Sequence, residues 1–348
     1  MVYQPGATEL VCPYCGNRQP IAATGEVVEQ DYAQYVSANA AQLQRATAGA
    51  MEVHCDRCGA VVEFTPPDVA GECAFCGSQI VALPKAADPT IAPNGVLPFA
   101  LEATAASAAI KAWLSSRWFA PNALKRIARQ EAVSGVYIPY WTYDCQTASD
   151  YTGQRGEHYY TTETYEVRDA NGNTRTETRQ VQHTAWYAAS GHVERAFDDL
   201  LVAATGTVPR KFLDRLEPWN LERLRPYDPA YLSGFKAQRY QIELANGFDA
   251  AKEIMAGTIE SDVRGDIGGD EQRVDSVDTA YSAITFKHLL LPVYLAAYHF
   301  QQKVYQVMVN AQTGEVTGDR PYSWIKITLL VLAIVAVLAI IAMLVAHK

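Results

Sequence analysis

Three Cys-x-x-Cys-Gly knuckles fall within the first eighty residues: Cys12 to Gly16, Cys55 to Gly59 and Cys73 to Gly77. A two-residue gap lets both thiolates of a pair face one ion, and the glycine permits the tight turn that points backbone amides at sulfur. Fourteen residues separate the second knuckle from the third, close to the spacing of a zinc ribbon. Cys55, Cys58, Cys73 and Cys76 therefore predict a four-thiolate structural site for Zn2+. Disulfides fit less well, because the first ten residues lack the basic patch and apolar run of a secretory signal. A thioredoxin-like pair would be one motif at a strand-to-helix junction, and a hairpin context favours zinc over an iron–sulfur cluster. Cys12 and Cys15 are expected to be zinc ligands too, yet they supply two of the four donors that tetrahedral zinc needs. Three completions stand open: displacing a pair from the ribbon, meeting a second copy in a homo-oligomer, or a decayed half-site.

Other chemistry-bearing residues are scattered. Gly265 to Arg273 mixes backbone freedom with Asp266, Asp270 and Glu271, which reads either as a flexible acidic loop or as a site for a cation or a basic peptide. His158, His183, His192, His288 and His299 are dispersed along strand-like segments, and a hydrolase would need such groups to converge in a cleft. Cys145 has no base beside it and reads as a buried structural thiol. No Gly-x4-Gly-Lys-Ser/Thr phosphate loop occurs anywhere, which excludes a motor ATPase. No catalytic residue is assigned, and the expectation is a protein that is not an enzyme.

The elements that carry these residues are bounded by a membrane signal. Residues 327–346 hold no charge, Pro or Gly, and twenty residues at the helical rise span about 30 Å, the thickness of a bilayer core. With Tyr322 and Trp324 as interfacial aromatics and Lys326 and Lys348 as brackets, residues 325–346 predict one transmembrane helix that tail-anchors the chain in the lipid bilayer. Reduced thiols place the large N-terminal part in the cytoplasm, and a bacterial inner membrane is the expected location. The chain has 348 residues and a net charge of −9. Residues 1–85 carry four basic against nine acidic side chains, so nucleic acid, which demands a basic face, is not the expected partner of the ribbon. Docking of other proteins is the use that remains.

Four regions follow: a zinc-ribbon region over 1–83 with a helix at 26–48 packed on its hairpins, a Pro-rich linker at 84–98, an α+β body over 99–322, and the transmembrane helix. In the body, helices are expected at 102–117 and 240–262, aromatic and β-branched strands at 135–144 and 286–298, and a long polar hairpin closing through Ala170-Asn-Gly-Asn173. Ile138-Pro-Tyr-Trp and Leu291-Pro-Val-Tyr each follow a helix, which predicts an internal duplication of a helix–strand–strand unit built on antiparallel sheets.

The knuckle order, Gly135-Val-Tyr-Ile-Pro-Tyr-Trp-Thr-Tyr-Asp144, Lys287-His-Leu-Leu-Leu-Pro-Val-Tyr294 and Val309-Asn-Ala-Gln-Thr-Gly-Glu-Val316 resemble an uncharacterised bacterial family of membrane-anchored zinc-ribbon proteins. The resemblance covers nearly the whole chain. Members are often labelled as similar to the primosomal replication-restart helicase or as transcription-factor-type zinc ribbons. That label implies binding to nucleic acid or to a replication or transcription machine as the alternative function. It carries no catalytic residues with it.

Overall fold

The computed structural model describes residues 1–22, 25–37, 51–64, 70–81, 85–86, 91–119, 133–168, 174–300, 303–320 and 322–346. The N-terminal hairpins comprise β1 (Val2–Tyr3), β2 (Glu9–Val11) and β3 (Arg18–Pro20), then β4 (Gln30–Asp31) and α1 (Tyr32–Val36). The ribbon is β5 (Met51–His54), β6 (Val61–Phe64), β7 (Ala70–Glu72), β8 (Gln79–Val81) and β9 (Lys85–Ala86). The body contains β10 (Gly95–Val96), α2 (Ala103–Ser116), β11 (Ser134–Arg168), β12 (Thr174–Ala203), α3 (Arg210–Leu213), β13 (Arg225–Pro226) and β14 (Lys236–Ala237). It continues with α4 (Leu244–Ile267), β15 (Glu271–Phe300), β16 (Lys303–Asn310) and β17 (Val316–Gly318), and α5 (Trp324–Ala346) ends the chain. The fold is α+β, as the sequence predicts.

Its centre is the antiparallel pair β11–β15, with β12 outside β11, and β10 and β16 outside β15. Ile138 faces Leu291 there, flanked by Tyr137 opposite Pro292 and Pro139 opposite Leu290. Exchanging the two strands about that point reproduces their surroundings. β14 runs parallel to β11 at Val136 and Tyr137, as β10 runs parallel to β15 at Leu289 and Leu290. β12 then meets β11 at Tyr140, as β16 meets β15 at Val293. The prolines sit in the gap between those neighbours. The Pro139 carbonyl accepts from Ala204 N–H at 2.9 Å and the Pro292 carbonyl from Ala311 N–H at 3.1 Å, so each ring nitrogen faces a junction where no ladder bond is lost. These equivalences support the duplicated unit read from the two Pro-containing motifs, and add a short parallel strand before each helix.

Side-chain alternation gives the sheet two covered faces. Tyr137, Leu290 and Tyr294 pack with Tyr3, Phe99 and α2, and along the same face Trp141, Tyr143 and Cys145 pack on α4. Val136, Ile138, Tyr140, Leu289, Leu291 and Val293 point the other way, onto ribbon residues Val53, Phe75 and Cys76 and onto Phe212 and Trp219. α4 buries Leu244, Phe248, Ala251, Met255, Ile259, Val263 and Ile267, a stripe three or four residues apart. It starts and ends later than the expected 240–262, because Gly265 is tolerated inside it. Gly268, at φ +64°, closes it by donating to the Arg264 carbonyl.

Three expectations need correction. The helix expected at 26–48 is helical only over Tyr32–Val36 among the described residues, and 38–48 lie outside them. Asp31 caps it by accepting from Gln34 N–H at 2.9 Å. Its Tyr32 and Tyr35 pack on Phe248 and Phe286 of the body and not on the ribbon, because β4 is zipped onto β15 at Thr285 and Phe286. The expected linker 84–98 is not one in its second half: Val96 and Leu97 are fully buried and β10 is a sheet strand. The hairpin strands reach much further than predicted, with β11 and β12 paired from Tyr140–Ala203 to Arg168–Thr174. The turn residues 169–173 lie outside the described residues.

Candidate metal centre

Each knuckle repeats one backbone device. The glycine N–H returns to the first cysteine's carbonyl (Gly16 to Cys12 2.9 Å, Gly59 to Cys55 2.8 Å, Gly77 to Cys73 2.8 Å), with φ of +71°, +72° and +68°. That left-handed turn is why glycine follows each pair. The second and third knuckles bring Cys55, Cys58, Cys73 and Cys76 together, their Sγ atoms all within 4.8 Å of one another. Cys55 and Cys76 sulfurs lie 3.5 Å apart, and those of Cys58 and Cys73 3.6 Å. A tetrahedral ion with bonds of about 2.3 Å would set its sulfurs about 3.8 Å apart, so the four side chains could hold one. Burial pushes the Cys73 thiol up to about 11 and Cys58 higher still, with neighbouring thiolates adding repulsion. Cys55 is also buried, but hydrogen bonds from Ser78 Oγ (3.2 Å) and the backbone of Cys58 and Arg57 bring it down to about 6. A bound dication would supply the charge that lets all four ionise together. The Phe75 carbonyl accepts from Gln306 and the Gly59 carbonyl from Gln241 at 3.1 Å, which joins this centre to the sheet.

Cys12 and Cys15 are not brought to that centre. Their hairpin is held by Tyr3, which donates from its hydroxyl to the Phe99 carbonyl at 3.1 Å and from its N–H to Ser233 at 3.0 Å. Tyr3, Leu10 and Ile21 belong to the helix-bearing face of the sheet, whereas the four-cysteine cluster covers the opposite face. The sheet itself stands between the two. Among the described residues no third metal-ligating side chain joins Cys12 and Cys15. Displacement of a ribbon pair by this knuckle does not occur in this arrangement.

Asp266 and Glu271 lie in α4 and β15, and only Asp270 sits in the short connection between them. Asp266 ends α4 and accepts from the Tyr151 hydroxyl at 2.6 Å; Asp270 accepts from His158 N–H at 2.7 Å, and Glu271 pairs with the His158 ring at 2.8 Å and Thr184 at 2.8 Å. Their carboxylates tie the end of α4 and the start of β15 to β11 and β12. No described cluster of metal-ligating groups contains them.

A polar cluster that sequence reasoning missed lies at the bulge around Asp144. The buried Lys287 ammonium reaches Asp199 at 2.7 Å and Glu29 at 3.2 Å, and Asp199 N–H donates to Asp144 at 2.6 Å. Burial works against the charge on Lys287, but Asp199 and the other carboxylates outweigh it and hold its pKa above the ordinary lysine value. Burial, with Glu29 close by, pushes Asp144 up to about 6. Glu29, Asp144 and Asp198 could also hold a cation, but Lys287 already supplies positive charge there. A single lysine inside the apolar run Phe286 to Tyr298 was the available signal.

A protein of Bacillus subtilis (strain 168), the uncharacterized protein YdjG, is 25% identical to this chain over 239 residues, covering 67% of this chain and 65% of that protein. The chain thus spans about two thirds of the length of the curated relative it matches. That similarity is distant. No family model matches the chain, and no solved structure matches it.

Proposed function

We propose that this chain is a membrane-tethered zinc protein that serves as a non-enzymatic scaffold for other proteins at the cytoplasmic face of a bacterial inner membrane. The observation that carries the tether is α5: Trp324–Val345 is long and apolar enough to cross a bilayer, and none of that span is buried against the body. A core helix of a soluble protein would be covered. The donor set carries the metal assignment. Four thiolates fill a tetrahedral shell and leave no open position, which suits structural zinc and not a catalytic ion. Hydrogen bonds from Gln306 of β16 and from Gln241 just before α4 brace the ribbon against the body, so it offers a supported surface. The outer edge of β12 has no partner strand among the described residues, and this edge is a further surface open to other chains.

Chemical crosslinking of the full-length chain in its own membranes tests the scaffold reading. Crosslinks that join ribbon or body to a discrete protein partner support it. Recovery of nucleic acid instead, with binding that falls steeply as salt rises, favours the nucleic-acid alternative and removes it.

A further inference from the structure

On a chain of net charge −9, a concentration of cations is the exception. One stands where α5 leaves the body. A cavity of about 310 Å³ is lined by Arg117 at the end of α2, Lys211 and Arg215 in and after α3, and Arg320 and Tyr322 just before α5, with Asp319 the one carboxylate among the described lining residues. β17 runs between α2 and the turn that follows α3, so cations from three distant segments surround one hollow. Among the described residues none of the four is ion-paired. Aromatic rings steady them without neutralising them: Arg117 lies 5.1 Å from the Trp113 ring, Arg320 5.5 Å from Tyr322 and Lys211 4.6 Å from Phe212. Arg117 Nε is buried and finds no hydrogen-bond acceptor among the described residues.

The place of this hollow relative to α5 is fixed. Ser323 N–H donates to the Phe119 carbonyl at 2.8 Å and Lys326 Nζ to the Trp118 carbonyl at 2.9 Å, docking the first turn of α5 onto the segment after α2. With α5 in a bilayer, Tyr322 and Trp324 lie at the headgroup level, and the cavity opens beside them. Four cations gathered at that depth match the phosphate of a lipid headgroup.

We propose that this pocket binds the phosphate of an anionic membrane lipid, so that tether and headgroup together set how the body stands on the bilayer. The proposal rests on α5 being embedded in the membrane. Native mass spectrometry of the full-length chain in detergent tests it, with phosphatidylglycerol, phosphatidylcholine and inorganic phosphate each titrated. Phosphatidylglycerol should be retained at least tenfold better than phosphatidylcholine. The double variant Lys211→Gln/Arg215→Gln, at exposed positions, and the single variant Arg320→Gln should each weaken that retention, by about fivefold per charge removed. Equal retention of the two lipids, or variants that hold phosphatidylglycerol as the parent does, overturns the proposal. So does inorganic phosphate binding as tightly as the lipid and resisting displacement by it, which would mark a site for soluble phosphate. Flotation with vesicles separates the two readings: loss of lipid preference with intact flotation removes the pocket alone, while a parent chain that floats with neither vesicle type removes the tether and the pocket together.

Discussion

Trp141 and Tyr294 occupy equivalent points of the two halves of the sheet. The Trp141 indole N–H donates to the Ile242 carbonyl at 2.9 Å, and the Tyr294 hydroxyl donates to the Leu101 carbonyl at 2.9 Å. Each acceptor lies two residues before its helix, so each bond fixes where a helix leaves the sheet.

Removing either bond should therefore loosen its own half. Trp141→Phe and Tyr294→Phe are each expected to lower unfolding free energy by about 1–2 kcal/mol, from the lost hydrogen bond plus some packing for tryptophan. Urea denaturation of the two variants and their double checks this. The losses should add, because the bonds belong to separate helix junctions.

Gly247 lies inside α4, where alanine is ordinarily the better helix former by about 1 kcal/mol. Here a Cβ would stand 2.4 Å from the Tyr143 hydroxyl and 2.7 Å from the Trp141 ring. Gly247→Ala is expected to destabilise by about 1–3 kcal/mol in spite of propensity. A variant as stable as the parent would mean that α4 does not approach the sheet this closely.

His288 is wholly buried against Trp141 and Tyr240, its Nδ1 donating to the Ile91 carbonyl at 2.9 Å while Nε2 has no partner among the described residues. Burial pulls its pKa from 6.5 down to about 4. Between those values the unfolded chain takes up a proton that the folded chain refuses. Stability should thus be unaffected by this group above pH 6.5 and fall as pH drops towards 4, by up to about 3 kcal/mol. Denaturation midpoints across that window should fall more steeply with pH for the parent than for His288→Asn, whatever their difference at neutral pH.

The two cysteine sets should behave differently when removed. Cys12→Ser/Cys15→Ser is expected to keep the metal content and fold of the ribbon, since the sheet separates that knuckle from the four-cysteine cluster. Cys73→Ser should release the metal and loosen the packing of Phe75 and Cys76 on the sheet, by several kcal/mol, because the cluster holds hairpins with little core of their own. Elemental analysis and thermal melts of both variants decide it.

Much of this was legible in the residues. The knuckle spacing announced the four-cysteine cluster, the charge-free run announced α5, and two Pro-containing motifs announced the duplicated unit. What stayed hidden depended on partners far along the chain. Tyr32 and Tyr35 fall within the helix expected at 26–48 on the ribbon, but β4 pairing with Thr285 and Phe286 carries them to the body. Val96 and Leu97 sit among prolines and read as linker, yet they are core because β10 adds to β15 at Leu289 and Leu290. The acids at 266–271 resembled a free loop until Tyr151, His158 and Thr184 arrived from β11 and β12. Local pattern cannot carry such pairings, because the strands that make them are set by register across the whole sheet.

Metal analysis of the full-length chain purified from the membrane fraction tests most directly whether a metal-clamped ribbon is joined to a membrane tether. One zinc per chain, retained through detergent extraction and lost in Cys73→Ser, is the predicted result. A chain recovered from the soluble fraction, or one that is folded at the membrane with no bound metal, would contradict it.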